Sequence, residues 1–223
     1  MHPRSMTTAA PQPNRGPNRG PIRGLPALVA GLALACGAFT TATAEPNAAP
    51  RVEARPLAEL IDGEYIRRQE DGSLLIADRW VVKGEGTEEK PFEIEWRMLS
   101  AAADEFSPQL NKHTLPRWTR LLQGRRVRLS GYIAFPFMAT ESDELLLMLN
   151  EWDGCCLGVP PTPYDAIEVE LKERVRVTGG HSQFNRGAVT GIFKTEPYLM
   201  DTWLLGLWVI EQAEVETDIA RRR

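Results

Sequence analysis

Apolar and polar residues alternate through most of the chain after residue 124, which is the pattern of half-buried β-strands. Five or six short strands with glycines at the corners predict a small closed barrel of the OB type, because closure hides strand edges that an open sheet exposes. A two-sheet β-sandwich is the alternative. The strand-like runs are Val127 to Phe135, Leu145 to Leu149, Ile167 to Leu171, Val175 to Val177, Ala188 to Lys194 and Trp203 to Val215.

An extension of strands and one helix is predicted ahead of the barrel. Asp71-Gly72 separates two strand-like runs and is typical of a hairpin turn. Residues 92–96 alternate as a third strand would. Leu115 to Leu122 predicts a helix, with Thr114 as its cap and Gly124 as its stop. The fold class is therefore α+β and mainly β, with an extension over 57–123, a barrel over 124–216 and a tail over 217–223.

The first 44 residues have the features of an export leader. Three arginines at 15, 19 and 23 precede the apolar run Leu25 to Phe39, which is too short to span a bilayer comfortably. Ala42-Thr43-Ala44 then offers small residues at a cleavage site. We expect cleavage after Ala44, a linker over 45–56, and a periplasmic or secreted protein. A lipoprotein with a lipid on Cys36 is the alternative.

Charge narrows the class of partner. Residues 1–44 contain four arginines and no acidic residue, so the rest of the chain has 22 basic and 30 acidic side chains and a net charge of −8. Nucleic-acid phosphates require a basic surface, so we expect no nucleic-acid partner. Apolar runs after residue 44 are strand-sized, and we expect membrane contact only by peripheral or lipid association.

The candidate reactive or metal-binding side chains are concentrated in one loop, Trp152 to Tyr164. Cys155 and Cys156 are adjacent in it. Thiolates favour Zn²⁺ or Cu(I), and Asp153, His181 and His113 could complete a ligand set. The alternatives are a vicinal or intermolecular disulfide, favoured by the oxidising compartment, and simple packing. Thiol catalysis is a further reading, although no neighbouring base is evident in the sequence.

Prolines follow the cysteines and stiffen the same loop. Pro160, Pro161 and Pro163 favour an extended polyproline path, which would carry Tyr164 to a partner on a rigid ledge. The plainer interpretation is that they connect two strands and protect an edge.

Two other groups of residues have structural interpretations. The acidic residues at 141, 143, 144 and 151 are interpreted as the solvated loop of a hairpin, without an acid/base role. The aromatic residues Phe193, Trp203 and Trp208 are interpreted as barrel core rather than as a ligand pocket.

The barrel half resembles an exported bacterial family catalogued as domain of unknown function 3299, over about residues 115–216. The resemblance rests on Gly124 to Tyr132, an apolar strand, and Gly154 to Pro161 in that order. In the family the loop typically has the pattern Gly-x-Cys-x-His-x-Pro-Pro. Here Cys156 matches the cysteine, and Gly158 stands where the histidine is expected, which removes half of the presumed ligand pair.

The family consists of periplasmic or envelope proteins, often encoded beside MacB-like ABC transporter components and in some cases within zinc-responsive gene sets. The resemblance therefore implies an accessory role in envelope transport or metal handling. We expect a non-enzymatic periplasmic accessory or binding protein with an envelope ABC transporter component as its partner and zinc as its candidate metal. A peptide-binding or small-ligand-binding module that uses the Cys–Pro loop is one alternative, and a thiol–disulfide oxidoreductase is the other.

Overall fold

The computed structural model describes residues 54–152, 158–177 and 185–217, together with the backbone of residues 220–221. All of them belong to one compact unit, Ala48–Arg223.

The N-terminal part is assembled from short elements. These are α1 (Leu57–Leu60), β1 (Ile66–Arg68), β2 (Leu74–Ile76), β3 (Trp80–Val82), β4 (Phe92–Glu93), α2 (Trp96–Ser100), β5 (Phe106–Ser107), β6 (Lys112–His113) and α3 (Thr119–Leu122), with 3-10 turns at Ala101–Asp104 and Pro108–Leu110.

The predicted hairpin is correct, and it grows into a three-stranded antiparallel sheet. Arg68 pairs with Leu74 across the turn, and β2 pairs with β3 on its other side. Gly72 adopts a φ of +83°, which only glycine accepts readily. The turn is further held by Asp71, whose carboxylate accepts the Ser73 N–H at 2.9 Å.

The C-terminal part consists of long strands. They are β7 (Arg126–Ala134), β8 (Glu141–Met148), β9 (Ala166–Val177), β10 (Asn185–Met200), β11 (Trp203–Thr217) and the short β12 (Ala220–Arg221). The sheet order is β10-β11-β9-β8-β7-β4, and β10 also pairs with β7. That additional pairing makes the sheet partly ring-like. Within the ring, β9 and β11 run parallel and the other neighbours run antiparallel. The predicted mainly β class is confirmed.

The two parts share a core. Trp96 lies over β7, where it donates its indole N–H to the Ser130 carbonyl at 2.8 Å. Gly131 permits this approach, because a β-carbon there would lie 3.2 Å from the Trp96 ring and 2.5 Å from the Met148 carbonyl. At the start of α3, Trp118 packs on Trp208 with ring centroids 5.6 Å apart, and Phe193 packs on Trp208 at 5.5 Å.

The structure corrects several predicted segments. The predicted helix begins at Thr119 rather than at Leu115, because Pro116 and Arg117 form a turn in which the Thr119 N–H donates to the Pro116 carbonyl. Thr114 is therefore not its cap. The strand predicted over 92–96 is only two residues long, and Trp96 begins α2 instead.

Two predicted strands, 167–171 and 175–177, are parts of the single strand β9. Its register against β8 is irregular between Glu170 and Val175, which explains the break in the apolar pattern. Along the described residues, no helix is both long enough and apolar enough to cross a membrane.

Candidate functional site

The predicted cysteine loop lies within the connector between β8 and β9, residues 149–165, which we name the Cys–Pro connector. Its two arms are held together by hydrogen bonds. The Leu149 N–H donates to the Asp165 carbonyl at 3.0 Å, and the Val159 N–H donates to the Glu151 carbonyl at 2.8 Å. Trp152 and Gly158 form an antiparallel bridge at its far end. The chain therefore leaves and re-enters this loop at two adjacent points.

The predicted metal ligands fall outside the described residues. Asp153, Cys155 and Cys156 lie in the segment 153–157, and His181 lies in the segment 178–184. Their metal-binding role stays a prediction. His113 is described: it is exposed on β6, with Nε2 3.2 Å from the Asn111 amide oxygen. Among the residues with described positions, no group of three or more His, Cys, Asp or Glu side chains could hold a metal ion.

Gly158 cannot be replaced easily at the end of this loop. Its φ is +95°, and a β-carbon there would lie 2.0 Å from the Glu151 carbonyl oxygen, far inside contact distance. The family pattern that the loop resembles has a histidine at this position. The local backbone leaves no space for any side chain at position 158. The absence of a histidine there is therefore consistent with the path of the backbone.

The proline arm is anchored by its last residues. Pro160 is exposed, while Pro161 and Pro163 are half-buried. Asp165 closes a turn by accepting the Thr162 hydroxyl at 2.9 Å. Tyr164 donates its hydroxyl to the Phe106 carbonyl at 2.8 Å and packs against the core. The Tyr164 hydroxyl thus joins the connector to the N-terminal part. The partner-binding role predicted for the three prolines and Tyr164 stays a prediction.

The end of β10, the turn at 201–202 and the start of β11 form a second feature, which sequence reasoning missed. We name residues 196–205 the apolar hairpin. Every residue from Glu196 to Trp203 is exposed, although the stretch includes several large apolar side chains. Trp203 is 62% exposed, so its predicted place in the core is wrong; Phe193 and Trp208 are buried as predicted.

The connector and the apolar hairpin leave the ring at the same end. Glu168 pairs with Val209 in the parallel register of β9 and β11, so the start of β9 lies beside the early part of β11. A depression lies at this end of the sheet, where β9, β10 and β11 meet. It is lined by Glu168, Glu196, Pro197, Tyr198 and residues 206–209.

Carboxylates collect on the outer face of the neighbouring strands. Lys194 forms ion pairs with Glu211 and, at 3.6 Å, with Glu196. Desolvation by partial burial raises the pKa of Glu170, and the negative charge of Glu211 raises it further, while Lys194 opposes both.

Of the four acidic residues predicted to form a solvated loop, those at 141, 143 and 144 instead lie on β8, whereas Glu151 lies exposed in the Cys–Pro connector. Glu141 and Asp143 face β9, where Asp143 pairs with Arg174 at 3.0 Å and Glu141 lies 3.9 Å from Arg176. The reason is that β8 begins at Glu141, so these side chains find cross-strand partners.

The fold and the site define a mainly β protein with a partly ring-like sheet, a pinned Cys–Pro connector and a projecting apolar hairpin. No protein-family model and no curated protein matches the sequence. The structure is similar to a crystal structure of a DUF3299 family protein from Pseudomonas aeruginosa PAO1. The two chains are 22% identical, the similarity covers 57% of this chain and 79% of the other, and the TM-score is 0.34.

The family of that protein is the one that the cysteine loop and its flanking strands resemble in sequence. A similarity of this size carries neither an activity nor a ligand over to the chain.

Proposed function

We propose that the chain is an exported, non-enzymatic binding protein built on an OB-like barrel. The strand order supports the barrel: β7 pairs with both β8 and β10, and β9 runs parallel to β11. OB folds are five-stranded Greek-key barrels that bind ligands through one face and its flanking loops. Cleavage after Ala44 would release the protein into the periplasm.

One observation carries the binding role: the two described arms of the Cys–Pro connector are paired with each other at one end of the sheet. The bridge between Trp152 and Gly158 brings together the two residues that border the segment with both folded-part cysteines. A loop with fixed ends loses less conformational entropy when it binds, which favours recognition. We propose that an envelope ABC transporter component is the partner at this end.

The ligand proposed for this loop is Zn²⁺ or Cu(I). Cys155 and Cys156 would supply thiolates, and Asp153 and His181 would be the remaining ligands. Position 158 is not available as a ligand, since a side chain there would meet the Glu151 carbonyl.

The metal prediction is tested on protein that a cell expresses from the full-length sequence, exports and cleaves. We expect a stoichiometric amount of zinc or copper by elemental analysis, its loss in Cys156→Ser, and its retention in His113→Ala, which removes an exposed histidine elsewhere. Intact mass before and after alkylation gives the thiol state and the mature N-terminus. Metal-free protein in which both cysteines are free thiols that alkylation modifies would contradict the metal role. A mass that includes residues 1–44 would contradict cleavage.

The oxidoreductase alternative makes a separate prediction. It requires the exported protein to reduce or oxidise a test disulfide with turnover, and Cys155→Ser or Cys156→Ser to abolish that turnover. Absence of turnover in the thiol-containing protein removes this alternative and leaves the binding role intact.

A further inference from the structure

The apolar hairpin extends beyond its neighbours. The register between β10 and β7 ends at Ile192 opposite Arg126, and the Thr195 N–H donates to the Gln123 amide oxygen at 2.9 Å just beyond it. Among the described residues, the end of β10 pairs in register only with β11, up to Met200 opposite Trp203. One face of this hairpin is exposed at Met200 and Trp203, whereas Leu204, which points to the other face, is buried.

Large apolar side chains dominate this projection. Tyr198, Met200 and Trp203 are 63%, 59% and 62% exposed, and Leu199 and Leu205 are 42% and 46% exposed. Met200 pairs directly with Trp203, so these two side chains share one face. A register shift follows, after which Tyr198 pairs with Gly206. Burying such side chains is favourable, and contiguous exposed patches of this kind mark interaction sites.

Negative charge borders the same face. Oε1 of Glu168 lies 3.0 Å from the point where a β-carbon of Gly206 would stand, and Cβ of Tyr198 lies 3.9 Å from that point. The absence of a side chain at Gly206 therefore leaves a depression between the Tyr198 side chain and the Glu168 carboxylate. Glu196 lines the depression, and Asp201 stands exposed in the turn.

We propose that the apolar hairpin and Glu168 bind a protein segment in which a lysine or arginine stands next to aromatic or aliphatic side chains. The basic group would enter the depression beside Glu168 and Tyr198, and the apolar side chains would cover Trp203 and Met200. Charge complementarity selects this occupant.

The same charges disfavour the other occupants. A second copy would bring a like-charged border against this one, and an anionic bilayer would repel Glu196 and meet Asp201 first. Addition of a partner strand is disfavoured as well, since Pro197 has no N–H to donate along the open edge of β10. The partner is therefore recognised by side chains.

The probe is an array of synthetic peptides that place lysine or arginine beside Trp, Phe, Leu or Ile, each matched to a peptide with glutamate at the basic position. Binding of the full-length exported protein is measured by fluorescence anisotropy with the best peptide. We expect the glutamate match to bind at least about tenfold more weakly, Trp203→Ala to lose about tenfold or more in affinity, and Glu168→Gln to reduce both affinity and its dependence on salt.

Two matched variants control for general effects. Val81→Ala removes another exposed apolar side chain, on β3, and Glu70→Gln removes another exposed carboxylate. Both should leave peptide affinity unchanged, which separates local recognition from attraction of cationic peptides to an acidic protein. Circular dichroism should show that Trp203→Ala remains folded. Its metal content should equal that of the parent, so this inference and the metal role fail independently.

Three results would overturn the proposal. The first is equal binding of the basic and acidic peptides, or an affinity that Trp203→Ala leaves unchanged. The second is Trp203-dependent binding to phosphatidylglycerol–phosphatidylcholine vesicles without peptide binding, which identifies a membrane as the occupant. The third is a Trp203-dependent dimer in sedimentation analysis without peptide binding, which identifies a second copy.

Discussion

At the scale of single residues, Asp62 organises the turn that precedes β1. Its Oδ1 accepts the backbone N–H groups of Glu64, Tyr65 and Ile66 at 3.0, 2.7 and 3.0 Å. Its Oδ2 accepts a hydrogen bond from Arg117 at 2.9 Å. These donors, the Ile66 N–H foremost, lower the pKa of Asp62 from 3.8 to about 2. A short local motif thus ties β1 to the turn before α3.

We expect Asp62→Asn to lower the melting temperature at pH 7, because an amide loses the charge and can no longer accept at both oxygens. The carboxylate has a lowered pKa in the folded state, so its stabilisation is present above the ordinary value of 3.8 and is lost as the pH falls towards about 2. The difference between the two proteins, followed by circular dichroism, should therefore shrink over that window. Asp104→Asn, at an exposed carboxylate, serves as the control. A difference of the same size at pH 7 and pH 2 would contradict the carboxylate's role.

At the scale of elements, the Cys–Pro connector depends on the backbone conformation of Gly158. Gly158→Ala places a methyl group 2.0 Å from the Glu151 carbonyl, so the bridge to Trp152 must open. Gly72→Ala is a matched control, since Gly72 also has a positive φ but has no atom within 4 Å of the added β-carbon. Both variants bear the cost of about 1–2 kcal/mol for a left-handed alanine.

Only Gly158→Ala should release the Val159 amide, which donates to Glu151 in the parent. Hydrogen exchange at Val159 should accelerate by about tenfold or more, which corresponds to about 1.4 kcal/mol of local opening. Unchanged protection of Val159 in a folded Gly158→Ala protein would show that the bridge does not hold the connector.

At the scale of the whole molecule, β11 contains one buried and one exposed tryptophan. Trp208 is 1% exposed and packs between Trp118 of the N-terminal part and Phe193 of β10. Trp203, five residues earlier on the same strand, is largely solvent-exposed. Residues that join the two parts of the fold should therefore control unfolding, and the projecting ones should not.

Urea unfolding measures this contrast. We expect Trp208→Ala to cost about 3–5 kcal/mol, because it removes a buried aromatic side chain and leaves a cavity. Trp203→Ala should change the unfolding free energy by less than about 0.5 kcal/mol, as surface substitutions usually do. Comparable losses in both variants would mean that the apolar hairpin is packed against the protein rather than exposed.

Several local features could be predicted from the sequence because their causes lie within a few residues. Asp71-Gly72 contains the chemistry of its own turn, and Gly124 adopts the positive φ expected after a helix. The alternation in β7 correctly predicts that Val127, Leu129 and Ile133 are buried. The helix start was misjudged because Pro116 is compatible with a turn as well as with a first helical residue.

The sequence by itself determined the mainly β class, the buried face of β7 and the place of the cysteine pair between two strands in the chain order, since periodicity and turn chemistry are local properties. Only the tertiary structure decided where one strand extends beyond the strands that it pairs with. Trp203 and Trp208 have the same chemistry on one strand, yet Trp118 and Phe193 pack on the second, while the first is 62% exposed. Exposure depends on what lies beside a residue in space, and for the apolar hairpin those neighbours are distant in sequence.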